Sequence, residues 1–261
     1  FEMGNTPNRN WGIKKENRPY PPVKKIKYAA APKLEFQDIL FLHSVTVTIS
    51  PGQPGAETRF TMDGTLPTEQ STLYSSPVII TKPAVLRVRS FADGILPGYP
   101  LIIHFGKIDM LEAVEVKDPV PGLKYYFVNE PVENARHAMD KPVTETGIIR
   151  NFNVDKVKGE QPFGYRFEGY LKVPESGVYT LSLEANDGAI LYINGKEIID
   201  NDGGHRSQKL ETKIGLKKGW HPVRTDYFQQ GLAKNLIVSW KGPGISEQEI
   251  PASVLFHEKE K

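Results

Sequence analysis

Apolar and polar side chains alternate in short runs along most of this chain, and glycine, proline and asparagine separate the runs. Val45, Val47 and Ile49 share one side of an extended segment with Thr46 and Thr48 on the other, and Leu86 and Val88 alternate with Arg87 and Arg89. Residues two apart point to the same face of a strand, so this period marks half-buried β-strands. The same reading predicts strands over 165–173, 179–183, 208–214, 220–229 and 236–240. Pro51-Gly52, Asp63-Gly64, Ser76-Pro77, Asp93-Gly94 and the segment 174–177 supply turns. The sharpest local prediction is a tight hairpin at Asn194-Gly195, with Ile190, Leu191, Tyr192 and Ile193 before it and Ile198 and Ile199 after it. Asn-Gly readily supplies the two positive-φ residues of a type I′ turn.

The pattern divides the chain. Residues 1–33 hold five prolines and keep neither a period of 2 nor one of 3.6, which predicts an extended N-terminal segment. Trp11 either pins that segment to a neighbouring domain or stands in solvent. Residues 34–106 are expected to form a small immunoglobulin-like antiparallel sandwich. Residues 107–121 read as a charged linker with one helical turn over 110–114, ended by Pro119 and Pro121. Residues 122–257 resume the strand pattern at larger scale and predict a second, larger β-sandwich, with a short polar helix or loop over 131–140. The fold class is all-β.

Composition narrows the function. With 23 Gly and 21 Pro in 261 residues, the chain is built for turns rather than long helices. A net charge of +2 is too small to point to nucleic acid or an anionic membrane. The N-terminal 33 residues carry an excess of six positive charges, read as solvated lysines on a proline-broken tail rather than a phosphate-binding arm. The absence of cysteine excludes disulfides, thiolate metal sites and cysteine nucleophiles. No apolar run approaches the roughly 20 residues a membrane span needs, and no charged-then-apolar leader is present. A chain that begins at Phe1 is expected to be a processed or excised piece. The six histidines show no metal-ligand spacing, and neither G-x-S-x-G nor a phosphate loop occurs.

Two stretches carry a family resemblance. Residues 49–94, ISPGQPGAETRFTMDGTLPTEQSTLYSSPVIITKPAVLRVRSFADG, resemble the small β-sandwich at the C-terminus of chitobiase and β-hexosaminidase-type glycosidases. Asp63 has a complete structural explanation there, as an Asx turn over Gly64. The resemblance implies an accessory module of a carbohydrate-active enzyme and no catalytic group. The second block resembles the protective-antigen-fourteen domain through GLKYYFVNE, FEGYLKVPESGVYTLSLEANDGAILYINGKEIIDNDGGH, RTDYFQQGLAKNLIVSWKGPG and IPASVLF. That domain is a β-sandwich shared by bacterial glycosidases, yeast adhesins and a pore-forming toxin, and a shared fold carries many functions.

In the adhesins of that family, two successive aspartates joined by a cis peptide hold a calcium ion that grips sugar hydroxyls. The matching positions are Asn186 and Asp187, with Asn235 in the loop 229–235 as a further oxygen donor. The resemblance thus implies a calcium and carbohydrate site at Asn186, Asp187 and Asn235, and the alternative is that Asp187-Gly188 is a hairpin turn only. Asp200 and Asp202, with Asn201 between them, are candidates for a second cation, against a reading in which Asp200 ends a strand and Gly203-Gly204 folds His205 back to the sheet edge.

Sugar stacking needs exposed flat rings. Trp220, Tyr227, Phe228 and Trp240 all fall in predicted strands, and alternation sends Tyr227 and Phe228 to opposite faces, so one of them faces out. The resemblance places Trp240 in the core, and Trp220 stays open as a carbohydrate contact.

Hexosaminidase chemistry uses a carboxylate pair in a (β/α) barrel of about 250 residues, and the βα alternation this requires is absent. The expectation is therefore a non-catalytic, carbohydrate-binding part of an exported bacterial-type glycoside hydrolase, periplasmic, outer-membrane-attached or extracellular, whose catalytic domain lies upstream and acts as a β-N-acetylhexosaminidase. Its partners would be that domain and a glycan or oligosaccharide containing N-acetylglucosamine. The rivals are a calcium-dependent cell-surface adhesin and a structural spacer.

Overall fold

A computed structural model describes residues 26–154, 162–231 and 233–259. Trp11 and most of the basic residues of the N-terminal segment lie outside the described residues. The chain is all-β and divides into two compact units. One takes Thr48–Pro77 and Val85–Ile103 with the described residues before Phe36, and the other takes Phe36–Val47, Val78–Ala84 and the described residues of His104–Lys261.

The N-terminal strands are Lys33–Glu35 (β1), Leu40–Phe41 (β2), Val45–Ser50 (β3), Glu57–Thr61 (β4), Thr72–Leu73 (β5), Val78–Ile80 (β6), Ala84–Phe91 (β7) and Leu101–Lys107 (β8). They form two small sheets, ordered β1-β3-β6 and β2-β8-β7-β4-β5. The β1–β3, β3–β6, β4–β5 and β4–β7 pairs are antiparallel, and β2 runs parallel to β8. The alternation holds: Val45, Val47 and Ile49 are buried while Thr46 and Thr48 are exposed. Asp63 makes the Asx turn, its Oδ1 accepting from the Thr65 amide at 3.0 Å and hydroxyl at 2.6 Å, with Gly64 at φ +80.

The larger module begins with Met110–Leu111 (β9), Pro119–Pro121 (β10), Leu123–Val128 (β11) and Glu145–Ile149 (β12). The helical turn expected over 110–114 is replaced by extended chain. Met110 and Leu111 add in parallel to the edge of β17 (Gln208–Leu216), and Lys217 N–H donates to Leu111 O at 3.1 Å. A free strand edge offers these residues a full set of backbone partners, which one isolated helical turn does not. The remaining strands are Phe163–Val173 (β13), Gly177–Ala185 (β14), Gly188–Ile193 (β15), Lys196–Asn201 (β16), Gly219–Gln229 (β18), Leu236–Gly242 (β19), Ile245–Glu249 (β20) and Leu255–Glu258 (β21). The larger sheet runs β10-β21-β13-β18-β15-β16, with β11 also on β13 and β12 on β11. The smaller sheet runs β20-β19-β14-β17-β9.

The inner faces of these two sheets make the core. Phe163, Tyr165 and Phe167 of β13, Tyr227 of β18, Tyr179 and Leu181 of β14 and Trp240 of β19 are all buried in it. Trp240 stacks on Tyr179 with ring centroids 5.7 Å apart, as the resemblance implied. Each such side chain contributes about 1.5–3 kcal/mol by leaving water. The hairpin forms as predicted, Asn194 at φ +51 and Gly195 at φ +75 joining β15 to β16.

The outer face of the larger sheet has a second, smaller core. A 3-10 helix, Ala135–Asp140, begins where Asn134 Oδ1 accepts from the His137 amide at 3.0 Å. Val132 and Ala135 pack with Val128, Ile190, Tyr192 and Phe228. This corrects the expectation that Tyr227 or Phe228 faces solvent. Tyr227 points inward and Phe228 outward as alternation requires, but the 132–139 excursion covers Phe228, and both are fully buried. No helix among the described residues is long and apolar enough to cross a membrane.

Candidate functional site

Three loops meet at one end of the sandwich: the β14–β15 turn carrying Asn186 and Asp187, the segment 202–207, and the loop after β18. Backbone hydrogen bonds tie them together. Asn186 N–H donates to Asn235 O at 2.9 Å, and Asp187 N–H donates to His205 O at 2.9 Å. Asp187 sits at φ +58, and its Oδ2 accepts from Gln229 Nε2 at 2.7 Å and from Gln230 N–H at 2.8 Å. Gln229, the last residue of β18, is 1% exposed. Its Oε1 accepts from the Tyr227 hydroxyl, which fixes the amide so that Nε2 faces Asp187, Gly231 O at 2.6 Å and Ala233 O at 3.2 Å. Burial pushes the Tyr227 phenol well above its ordinary value, so it remains a donor.

Asn235 lies alongside. Its Nδ2 donates to Glu184 Oε1 at 2.9 Å and to Ser207 Oγ at 3.0 Å, and Ser207 Oγ donates to Glu184 Oε1 at 2.8 Å. The three residues expected at a common site are thus brought to one place. The peptide between Asn186 and Asp187 is trans, as are all those of the described residues.

Calcium requires six to eight oxygens turned toward one point. Here a carboxylate oxygen and two carbonyls do converge, but onto the Gln229 amide nitrogen, and Asn235 turns its nitrogen rather than its oxygen to its neighbours. As arranged, this donor set does not fit the ion. Among the described residues, no three His, Cys, Asp or Glu side chains gather as metal ligands.

Asp200 and Asp202 serve the covering helix. Asp202 Oδ1 accepts from Ala135 N–H at 2.7 Å and its Oδ2 from Arg136 N–H at 3.2 Å, while Asp200 Oδ2 pairs with Arg136 at 2.9 Å. Glu197 takes the other arm of Arg136 at 2.7 Å. Trp220 is far from the loop end. Nine residues along β18 separate it from Gln229, about 30 Å of strand. Lys172 lies over its ring at 5.1 Å and Phe256 meets it edge-on at 4.9 Å. Sequence reasoning took the 229–235 loop as a source of oxygens only, and so missed the donor role of Gln229, together with Glu184 and Ser207. The signal available for Gln229 was a glutamine pair closing a strand directly before a glycine loop, which is a donor as readily as an acceptor.

Comparison with known proteins fits this architecture. The PA14 domain model matches residues 119–253, more than half of the chain. The chain belongs to the PA14 domain family. Ahead of the PA14 domain, residues 41–98 match the chitobiase/beta-hexosaminidase C-terminal domain. A beta-hexosaminidase of Porphyromonas gingivalis is 25% identical over 196 residues, covering 72% of this chain and 25% of that protein, so the chain spans about a quarter of that relative's length. Among solved structures, the PA14 domain of the MpAFP antifreeze protein is similar with TM-score 0.48 and 15% identity, covering 57% of this chain and 97% of that one. The PA14 sugar-binding domain from an RTX adhesin is similar with TM-score 0.47 and 17% identity, covering 53% and 99%.

Proposed function

We propose that this chain is the non-catalytic, carbohydrate-binding part of an exported glycoside hydrolase of the β-hexosaminidase kind. Its role is to hold an upstream catalytic domain beside glycan that contains N-acetylglucosamine. The observation that carries this reading is the beta-hexosaminidase match: at 72% of the chain it exceeds what the PA14 module alone holds, so it runs through both modules of one enzyme. The loop end around Asp187 would contribute polar contacts to sugar hydroxyls, with Gln229 holding the carboxylate in place of an ion. A calcium-dependent adhesin would need those oxygens released from their amide donors.

Isothermal titration of the chain with N-acetylated chito-oligosaccharides, in calcium and again in chelator, tests the reading. Binding with Kd on the order of 10⁻⁴ M, unchanged by chelation, is the expected result. Binding that appears only with calcium would favour the adhesin. Failure to bind any glycan in either buffer would leave a spacer and end the proposal.

A further inference from the structure

The outer face of the larger sheet holds a cleft that the loop end does not explain. Strand β13 is paired along one edge first by β11, through Glu168, and then by β21, from Tyr170. The two partner strands meet end to end beside Gly169. A Cβ on that glycine would stand 2.3 Å from Phe256 O and 2.7 Å from Leu123 Cδ2, so only glycine permits the junction. A cleft of about 360 Å³ opens over it, bounded on the far side by the hairpin turn at Gly195, and a second depression of about 390 Å³ continues it past Lys124, Tyr126 and His257. Both volumes lie in the range of small-ligand clefts, about 300–1,000 Å³.

The floor consists of cross-strand rows. Lys124, Glu168, Arg224 and Tyr192 stand side by side across four strands, as do Tyr126, Arg166 and Asp226 in the next row. Arg224 lies over the Tyr192 ring, 3.8 Å from its centroid, and the buried Asp226 carboxylate holds Arg166 at 2.7 Å. Two tyrosines, Tyr126 and Tyr170, are half-buried in the lining, and no described residue bonds to either hydroxyl or pairs with either ring. By contrast the buried Tyr125, Tyr179 and Tyr227 donate to internal acceptors, the Tyr165 ring packs on Phe127 and Phe167, and the Tyr192 ring carries Arg224.

We infer that this cleft is a second carbohydrate site, which takes a neutral oligosaccharide of pyranose units along the groove over Gly169. The apolar faces of the rings would lie on Tyr126 and Tyr170, and the hydroxyls would meet Glu168 and Arg224. The charge balance selects a neutral ligand. Lys124 and Arg224 are matched by Glu168 and Glu258, and Arg166 by Asp226, which leaves Lys259 of the second depression as a single excess cation, too small a net field to draw in a polyanionic chain. Flat rings beside planar charged groups suit a ligand with apolar faces and hydroxyl edges. This inference rests on the carbohydrate-binding reading above but places the ligand on different residues.

The test titrates the full chain with tetra-N-acetylchitotetraose and with cello- and malto-oligosaccharides, comparing the parent with Tyr126→Ala/Tyr170→Ala and with Asp187→Ala. Loss of two stacking rings is expected to weaken binding of at least one neutral oligosaccharide by about tenfold or more, while Asp187→Ala, which reports on the loop end, keeps the ligand-induced shifts at 126, 168, 170 and 224. NMR of the parent provides a readout independent of any variant's folding, with shifts expected at 126, 168, 170 and 224. Binding lost in Asp187→Ala but kept in the tyrosine variant, with shifts confined to the loop end, overturns the cleft and leaves the general reading standing. A preference for sulfated or uronic oligosaccharides with salt-dependent affinity overturns the neutral-ligand inference. A parent that binds no oligosaccharide overturns both.

Discussion

Two polar regions of the PA14 module differ in how they dispose of their own hydrogen-bonding groups. At the loop end, Asp187, Gln229, Asn235 and Glu184 face one another and exchange hydrogen bonds. On the outer sheet face, the charges are paired but the flat rings and hydroxyls of Tyr126 and Tyr170 are left over. Groups that satisfy each other in the free protein must break those bonds to meet a ligand, and the net gain is then small. Groups turned outward lose only water. The conspicuous acidic loop is the better-knit part of the module, and the plain sheet face is the more available one.

The largest effect should come from the cleft floor. Asp226 is 1% exposed, and Arg166 and Arg224 both lean on it, at 2.7 and 3.4 Å. Asp226→Ala leaves Arg166 with only Glu168, at 3.7 Å, and Arg224 with only the Tyr192 ring, and urea unfolding is expected to show a loss of about 3 kcal/mol. A loss below about 1 kcal/mol would mean that the floor is held by packing alone.

At the loop end, Gln229→Ala takes away the acceptor of the Tyr227 hydroxyl, which keeps only the Asn235 backbone amide, and removes one donor from Asp187, for an expected cost of about 1–3 kcal/mol. Gln229→Glu sharpens the contrast further. It sets a carboxylate against Asp187 where Gly231 O and Ala233 O already converge. The parent should show no calcium-dependent shift in thermal unfolding. The variant should be less stable without calcium and regain about 2.7 kcal/mol at 100 times its dissociation constant. An equal calcium response in both would remove the role given to Gln229.

Alkali should also act through the core side of this region. Burial raises the phenols of Tyr165 and Tyr227, so the folded state keeps protons that the unfolded chain releases above pH 10. Stability should therefore be level below about pH 10 and fall as pH rises beyond it. Tyr227→Phe should reduce that fall, read as the midpoint of unfolding against pH. The smallest effect is at the hairpin: Gly195→Ala, at φ +75, should cost about 1 kcal/mol, read as the midpoint of urea unfolding.

Much of the fold could be read from residues alone, because turns and strand faces are local. Asn194-Gly195 and Asp63-Gly64 carry their own instructions in two residues, and Val45, Val47 and Ile49 declare a face by spacing. The failures share a cause: each depended on a distant partner. Phe228 is covered by a helix that leaves the chain 88 residues earlier and shows no strong period of its own. Met110 and Leu111 extend because β17 has a vacant edge. Asn186, Asp187 and Asn235, which the resemblance grouped, do meet at one end of the sandwich, but oxygen-rich letters do not reveal which oxygens are already spent on Gln229. The cleft was illegible because β11 and β21 come from opposite ends of the module and meet only over Gly169.

The pairing of β10 with β21 has a consequence for how such modules travel. The strand that opens the stretch matched by the PA14 model and the last described strand lie antiparallel, Pro119 opposite Glu258. Entry and exit are therefore neighbours, about 4.8 Å apart across the ladder. A module of this kind can be spliced into a surface loop of a host without prying the host's own ends apart, and a gene that gains it need supply nothing but two short joins.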